Sequence, residues 1–427
     1  MVKPIDLGLD FGSIIFRAAY MLDGEVVPIP ISDNERTWSG AVFTIGPEAR
    51  KPFLFDSLKS RLGPAGQLIL FGPNAMTITD LVHELLARFK VHVEDYIGGP
   101  IGRVIIAVPG YYSAVQRAEI RQIAQAVEFQ QVELVDDCLV AALGYTTLNI
   151  EKRPLRLLVF STGFMGLEVN LVKLDQTDCQ IIAGQGGPEL SGRDVDRLLM
   201  ERCVAEAARR NVFLPFIDDF DQLAWYDFRE TIEETKKRLG LGEDVRFALP
   251  ANVTGNFPLP MVIRVADFEA AIQGYVDQAM ATVQQVLAAG QTNPAQVDKV
   301  LLVGGTTRLP SFQRGLTHLF GPKLIQPRED LLARGAALYA VRQSAPVITR
   351  PEPATLVNNS DSTRPAGRVV RTANPAKIQN PPTPEAIVTY AQTLAQAGYY
   401  EAARTYLSQV MESIQIARIR IEEQWME

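Results

Sequence analysis

Two short glycine-bearing turns hold the residue types that a phosphorylated ligand would need. The first is Leu9-Asp10-Phe11-Gly12-Ser13. A tight turn presents backbone N–H groups that suit phosphate oxygens. Asp10 at its mouth is a carboxylate able to hold a hydrated divalent cation. An ordinary hairpin turn accounts for the same residues equally well. The second is Gly304-Gly305-Thr306-Thr307-Arg308. Two adjacent glycines let a flat ring approach the backbone, and Arg308 can cover the face of that ring. A plain strand–helix turn is the competing account. A chain of phosphates further requires a cation to meet its charge and a polar group to orient an attacking water.

Strands and helices must position these turns. Ile5–Asp10 and Ile14–Leu22 read as strands, and Asp23-Gly24 is a two-residue hairpin signal leading to a strand over Glu25–Ile29. Thr79–Asp95 has helical spacing, with Leu81, Leu85, Leu86 and Phe89 on one stripe. Arg103–Val108 is a buried-type strand, Ala114–Ala126 a helix, Val132–Val135 a strand, and Asp136–Tyr145 a helix. The opening pattern then returns as strands over Leu155–Ser161, Leu167–Leu174 and Asp178–Ala183. A repeated meander predicts an internal duplication and a ligand cleft between duplicated lobes. Helices are expected over Gly192–Arg210, Trp225–Leu239, Ala266–Ala289, Pro310–Phe320 and Asp330–Arg342, with a strand at Lys299–Val303.

The 427 residues exceed what one core usually serves. A net charge of −7 argues against a general nucleic-acid binder. Cys138, Cys179 and Cys203 lack paired spacing, which fits a reducing compartment and neither a disulfide frame nor a zinc site. With no apolar leader and no run long enough to span a bilayer, a cytoplasmic protein without a membrane partner is expected.

Several segments resemble the DnaK-type seventy-kilodalton heat-shock proteins, in that family's order. VLLVGGTTRLPSFQ is similar to the family's adenosine motif, and AVPGYYSAVQR, VELVDDCLVAALGY, GPELSGRDVDRLL, TIEETKKRL and LFDSLKSRLG to five further segments. The resemblance covers about residues 3 to 343. It implies an α/β, two-lobed actin-like ATPase fold with duplicated ribonuclease-H-like lobes, binding ATP or ADP with Mg²⁺. The expected nucleotide-binding domain is 1–345, with lobe I at about 1–152, lobe II at about 153–325 and a closing helix at about 326–345.

By position, the resemblance implies that Asp10 holds the Mg²⁺ hydration shell, with Gly12 and Ser13 at the phosphates. Lys59 would contact the terminal phosphate and its attacking water. Asp137 stands where the family has a water-orienting glutamate. Gly163 falls in the second phosphate loop, and Gly192 approaches the phosphates from the second lobe. Glu233, Lys236 and Lys237 line the ribose and adenine side, and Gly304, Gly305, Thr306 and Arg308 hold the adenosine.

The second phosphate loop departs from the family pattern. Ser161 replaces an aspartate, Phe164 and Met165 replace glycines, and Gly166 replaces a threonine. Adenosine recognition is expected to survive and hydrolysis to be weak or partner-dependent. Residues 346–382 read as a Pro/Ser/Asn-rich linker, and 383–427 as a tetratricopeptide-like helical hairpin fit to recruit a protein partner, as the lobe surface also is. The family's peptide-binding domain is not expected here. The expected function is a chaperone-like nucleotide switch. The alternatives are a pseudo-ATPase scaffold that recruits partners through the hairpin and, on fold alone, a small-molecule kinase.

Overall fold

The computed structural model describes residues 4–12, 15–30, 74–149, 153–175, 179–212, 222–255 and 257–342, with Trp38–Ser39, Val42–Phe43, Phe53–Leu54, Lys59, Leu62, Leu68–Phe71 and Leu214. Ser13, the linker and the C-terminal hairpin anticipated from the sequence lie outside the described residues.

Alternating apolar residues build the first meander, β1 (Ile5–Phe11), β2 (Ile15–Leu22) and β3 (Glu25–Ile29). Asp23 and Gly24 both take positive φ, as the two-residue turn between β2 and β3 requires. Short strands follow at β4 (Trp38–Ser39), β5 (Val42–Phe43), β6 (Phe53–Leu54), β7 (Leu68–Phe71) and β8 (Asn74–Thr77). Helix α1 (Ile78–Ile97) starts at a reciprocal cap: the Asp80 N–H donates to Thr77 Oγ1 at 3.0 Å, and the Thr77 N–H to Asp80 Oδ2 at 2.8 Å. It ends at Gly98 in the left-handed conformation. Strand β9 (Ile101–Val108), helix α2 (Ala114–Ala126), strand β10 (Gln131–Asp136) and helix α3 (Asp137–Thr146) complete the first half.

The second half opens with β11 (Leu155–Thr162), β12 (Leu167–Leu174) and β13 (Cys179–Gly187), then α4 (Gly192–Arg209) and α5 (Gln222–Gly240). Strand β14 (Val245–Leu249), helix α6 (Ala251–Thr254), strand β15 (Leu259–Ile263) and helix α7 (Val265–Ala289) follow. The last elements are β16 (Lys299–Val303), α8 (Pro310–Phe320), β17 (Leu324–Ile325) and α9 (Leu331–Arg342).

The strand orders are β10-β9-β1-β2-β3 and β13-β12-β11-β16-β17. In each sheet the first strand of a meander runs antiparallel to the second and parallel to a later strand, and that strand is parallel to the edge. The same path is drawn twice, so the repeat in the sequence is a repeat in topology. Strand β13 runs four residues past its expected end at Ala183. Its last stretch is glycine-rich and reads as loop, yet Gly184 and Gly186 sit opposite Asn170 and Glu168 in the ladder. A Cβ at Gly186 would meet Glu168 Cγ at 3.0 Å, so the glycines make room for side chains of β12.

The described chain divides into two compact units. One takes both sheets with α1–α3, α8 and α9, and the other takes Asp194–Ile272. In the first unit, α3 and α9 share one core with both sheets. Val140, Leu143 and Tyr145 of α3 and Ala336 and Tyr339 of α9 pack with Ile105, Val135, Leu157, Val172 and Leu301. Helix α9 also lies on β1, where a Cβ at Gly8 would strike its backbone. All three cysteines are buried thiols. Among the described residues, no helix is long and apolar enough to cross a membrane.

Candidate functional site

The ends of β1 and β10 and the start of α3 and β12 bring charged residues together. Asp10 lies near the end of β1, Asp136 ends β10, and Asp137 opens α3. Glu168 is the second residue of β12, directly opposite Ser161. Lys59 joins them, 4% exposed, beside Asp10 at 8% and Glu168 at 6%. The Lys59 ammonium donates to the Phe11 carbonyl and lies 5.4 Å from the ring centroids of both Phe11 and Tyr112.

Burial dominates the electrostatics of the group. It pushes the Lys59 ammonium below its ordinary pKa, against the pull of Asp137 and Asp10 and with the help of Arg117. It raises Asp137 to about 8, opposed by Lys59 and reinforced by Glu168, Asp10 and Asp136. It raises Asp10 too, opposed by Arg17 and Lys59. Asp137 Oδ1 is buried with no hydrogen-bond partner among the described residues. A carboxyl that titrates near neutrality and keeps an unused oxygen can take or return a proton.

The surrounding loops are tied down. Arg117 donates to Asp136 at 2.6 Å and to the carbonyls of Pro109, Gly110 and Tyr112. The Gly110 N–H donates to Glu168 Oε2 at 2.9 Å, and Asn170 Nδ2 to Oε1 at 2.7 Å. The turn between β11 and β12 is held at three of its residues. The Gly163 carbonyl accepts from the Gly192 N–H at 2.8 Å and from Thr306 Oγ1 at 3.1 Å. The Phe164 carbonyl accepts from the Arg193 N–H at 3.0 Å, and the Met165 carbonyl from Tyr111 Oη at 2.9 Å.

After β16, Gly304 has φ +89°, and a Cβ there would sit 2.5 Å from the Thr162 carbonyl oxygen. Only glycine suits that position. A Cβ at Gly163 or Gly305, by contrast, would meet nothing within 4 Å. Those two glycines leave bare backbone facing open space, as a ligand that approaches the main chain requires. Arg308 donates to Glu329 at 2.8 Å.

The sequence-predicted residues thus fall into three groups. Asp10, Lys59 and Asp137 form the buried charged cluster, with half-buried Gly12 next to Phe11. Gly163, Gly192, Gly304, Gly305, Thr306 and Arg308 gather around the two turns. Glu233, Lys236 and Lys237 lie on α5 in the other compact unit. There Lys236 pairs with buried Asp196 at 2.6 Å, and Lys237 with Glu233 at 3.0 Å.

Sequence reasoning missed Glu168. The signal was its spacing: it follows Ser161 by the interval that separates Arg17 from Asp10, and both pairs are cross-strand partners. Elsewhere in this unit, a cavity of ≈ 680 Å³ lined by residues such as Met21, Thr147, Leu174 and Arg342 shares no residue with the cluster.

Among the described residues, no group of three or more His, Cys, Asp or Glu forms a metal cage. That is compatible with magnesium, which keeps most of its waters and binds through few carboxylates and the ligand's phosphates. The carboxylates, the buried lysine and the open glycines fit a magnesium–nucleotide complex. The family model for Hsp70 protein matches residues 68–346, more than half of the chain. The chain belongs to the Hsp70 family, whose domains bind ATP or ADP with Mg²⁺ in chaperone-type work.

Proposed function

We propose that this protein is an ATP/ADP-binding, chaperone-like nucleotide switch with weak or partner-dependent ATP hydrolysis. The observation that carries it is the buried cluster of Asp10, Lys59, Asp137 and Glu168 at the ends of the duplicated sheets. Burying ionisable groups is costly, and it shifts Asp10, Asp137 and Lys59 toward their neutral forms; a ligand that restores and balances their charges gives that cost a purpose.

In this reading Asp10 holds the waters of Mg²⁺, and the metal neutralises charge on the terminal phosphates. Lys59 meets the terminal phosphate. Asp137 orients the attacking water. Backbone at Gly12, Gly163 and Gly192 faces the phosphates, with Ser13 in the same role. Gly304, Gly305, Thr306 and Arg308 hold the adenosine, and Glu233, Lys236 and Lys237 line its ribose and adenine side. Nucleotide state sets the relation of the lobes, which a protein partner reads.

Calorimetry of ATP and ADP with Mg²⁺ tests this reading, repeated with Arg308→Ala. Binding in the wild type that weakens about tenfold or more in the variant, the scale of one lost cation–ring contact, is the expected result. A second reading, a pseudo-ATPase scaffold, rests on Ser161. It places a hydroxyl rather than a carboxylate opposite Glu168. Absence of any nucleotide binding by the wild type would favour the scaffold.

A further inference from the structure

Among the described residues, the buried acids Asp10, Asp137 and Glu168 lie with one buried cation, Lys59, while Arg117 is engaged by Asp136. A triphosphate adds several negative charges to that balance, and phosphate-handling sites meet them with placed cations. Among the described residues, Arg17 is a further cation beside Asp10. It is the direct cross-strand partner of Asp10 on β2, so the two side chains share one face of the sheet. The Arg17 side chain is 19% exposed, and its charge acts on the Asp10 carboxyl.

The guanidinium of Arg17 already holds an anion. Arg17 Nη2 donates to Glu329 Oε2 at 2.9 Å, and Arg308 Nη2 donates to the other oxygen, Oε1, at 2.8 Å. Two arginines from separate elements, β2 and the turn after β16, thus converge on one carboxylate. Glu329 itself is 58% exposed and lies in the segment just before α9. An exposed ion pair of this kind contributes little to stability, whereas paired guanidinium forks match the oxygens of phosphate.

Resting on the nucleotide reading above, we propose that Arg17 is a phosphate-binding residue of the site and that Glu329 is an internal competitor for it. Glu329 holds the Arg17 guanidinium until nucleotide phosphate displaces it, and its release also frees Arg308 for the adenosine.

The two residues must then act with opposite sign. Calorimetry of the full chain with ATP and Mg²⁺ reads this out for the wild type, Arg17→Ala, Arg17→Lys and Glu329→Gln, with a thermal melt of each variant as a check on folding. Arg17→Ala is expected to weaken ATP binding about tenfold or more, with Arg17→Lys in between. Glu329→Gln, on the surface, is expected to tighten binding severalfold. Wild-type affinity in a folded Arg17→Ala, or weaker binding in Glu329→Gln, overturns the proposal and leaves the nucleotide reading standing. If the wild type binds no nucleotide but Glu329→Gln does, the competitor role is supported. If neither binds, the nucleotide reading itself falls.

Discussion

The two meanders are the same fold carrying different chemistry. In the first, Asp10 on the leading strand faces Arg17 on the returning strand; in the second, Ser161 faces Glu168. The acid has changed strands. A carboxylate projecting from β12 is held by the Gly110 N–H and by Asn170, on the far side of the duplication from Asp10. The comparison teaches that a duplicated sheet fixes where side chains converge but leaves open which strand supplies the charge. Loss of an aspartate at one ladder position therefore does not empty the site of acid.

The strongest way to break this comparison is Glu168→Gln. If the β12 carboxylate serves catalysis, single-turnover ATP hydrolysis should fall about 10²–10³-fold, the scale of removing one placed electrostatic group. An unchanged rate would make the second meander a bystander. Ser161→Asp sharpens the comparison by giving β11 the acid that β1 has. A gain of about tenfold in the same assay, one step on the free-energy scale of catalysis, is expected if the hydroxyl limits the reaction. No gain would assign the limitation to Phe164 and Met165.

The smallest effect is one of pH. Because Asp137 titrates near 8, the folded protein keeps a proton that the unfolded chain has already released above the ordinary carboxylate range. Stability therefore falls as pH rises toward about 8 and levels off beyond it. Asp137→Asn should flatten that decline in denaturant melts across the same window. Lys59, pushed the other way, contributes an opposite slope at higher pH.

Much of this fold could be read from residue order. Strands β3, β12 and β16 and helices α2 and α8 occupy the residues that alternation, helical spacing and caps assign to them. The Asp23-Gly24 turn and the Gly304 bend were legible because glycine and aspartate mark positive φ. Lys59 was legible only by resemblance, since nothing in its neighbours' spacing foretells a lysine 4% exposed. Glu168 was hidden for a different reason. One acid in an apolar strand reads as an outward-facing residue, and only the pairing of β12 with β11 and β13 turns it inward. Arg17 escaped notice likewise, because its role depends on Glu329, more than three hundred residues away. Contacts that join distant segments leave no local periodicity to read.

Helices α3 and α9 touch through bare backbone. A methyl group at Gly335 would overlap the Val140 carbonyl, one at Gly144 the Leu331 carbonyl, and one at Gly8 the main chain of α9. A library of random substitutions screened for folded protein would thus be depleted most steeply at these three glycines, well ahead of exposed Arg308 or Glu329. In this molecule, a map of mutational tolerance would trace the axle on which the sheets are mounted, and exposed Arg308 and Glu329 would stand out by their leniency.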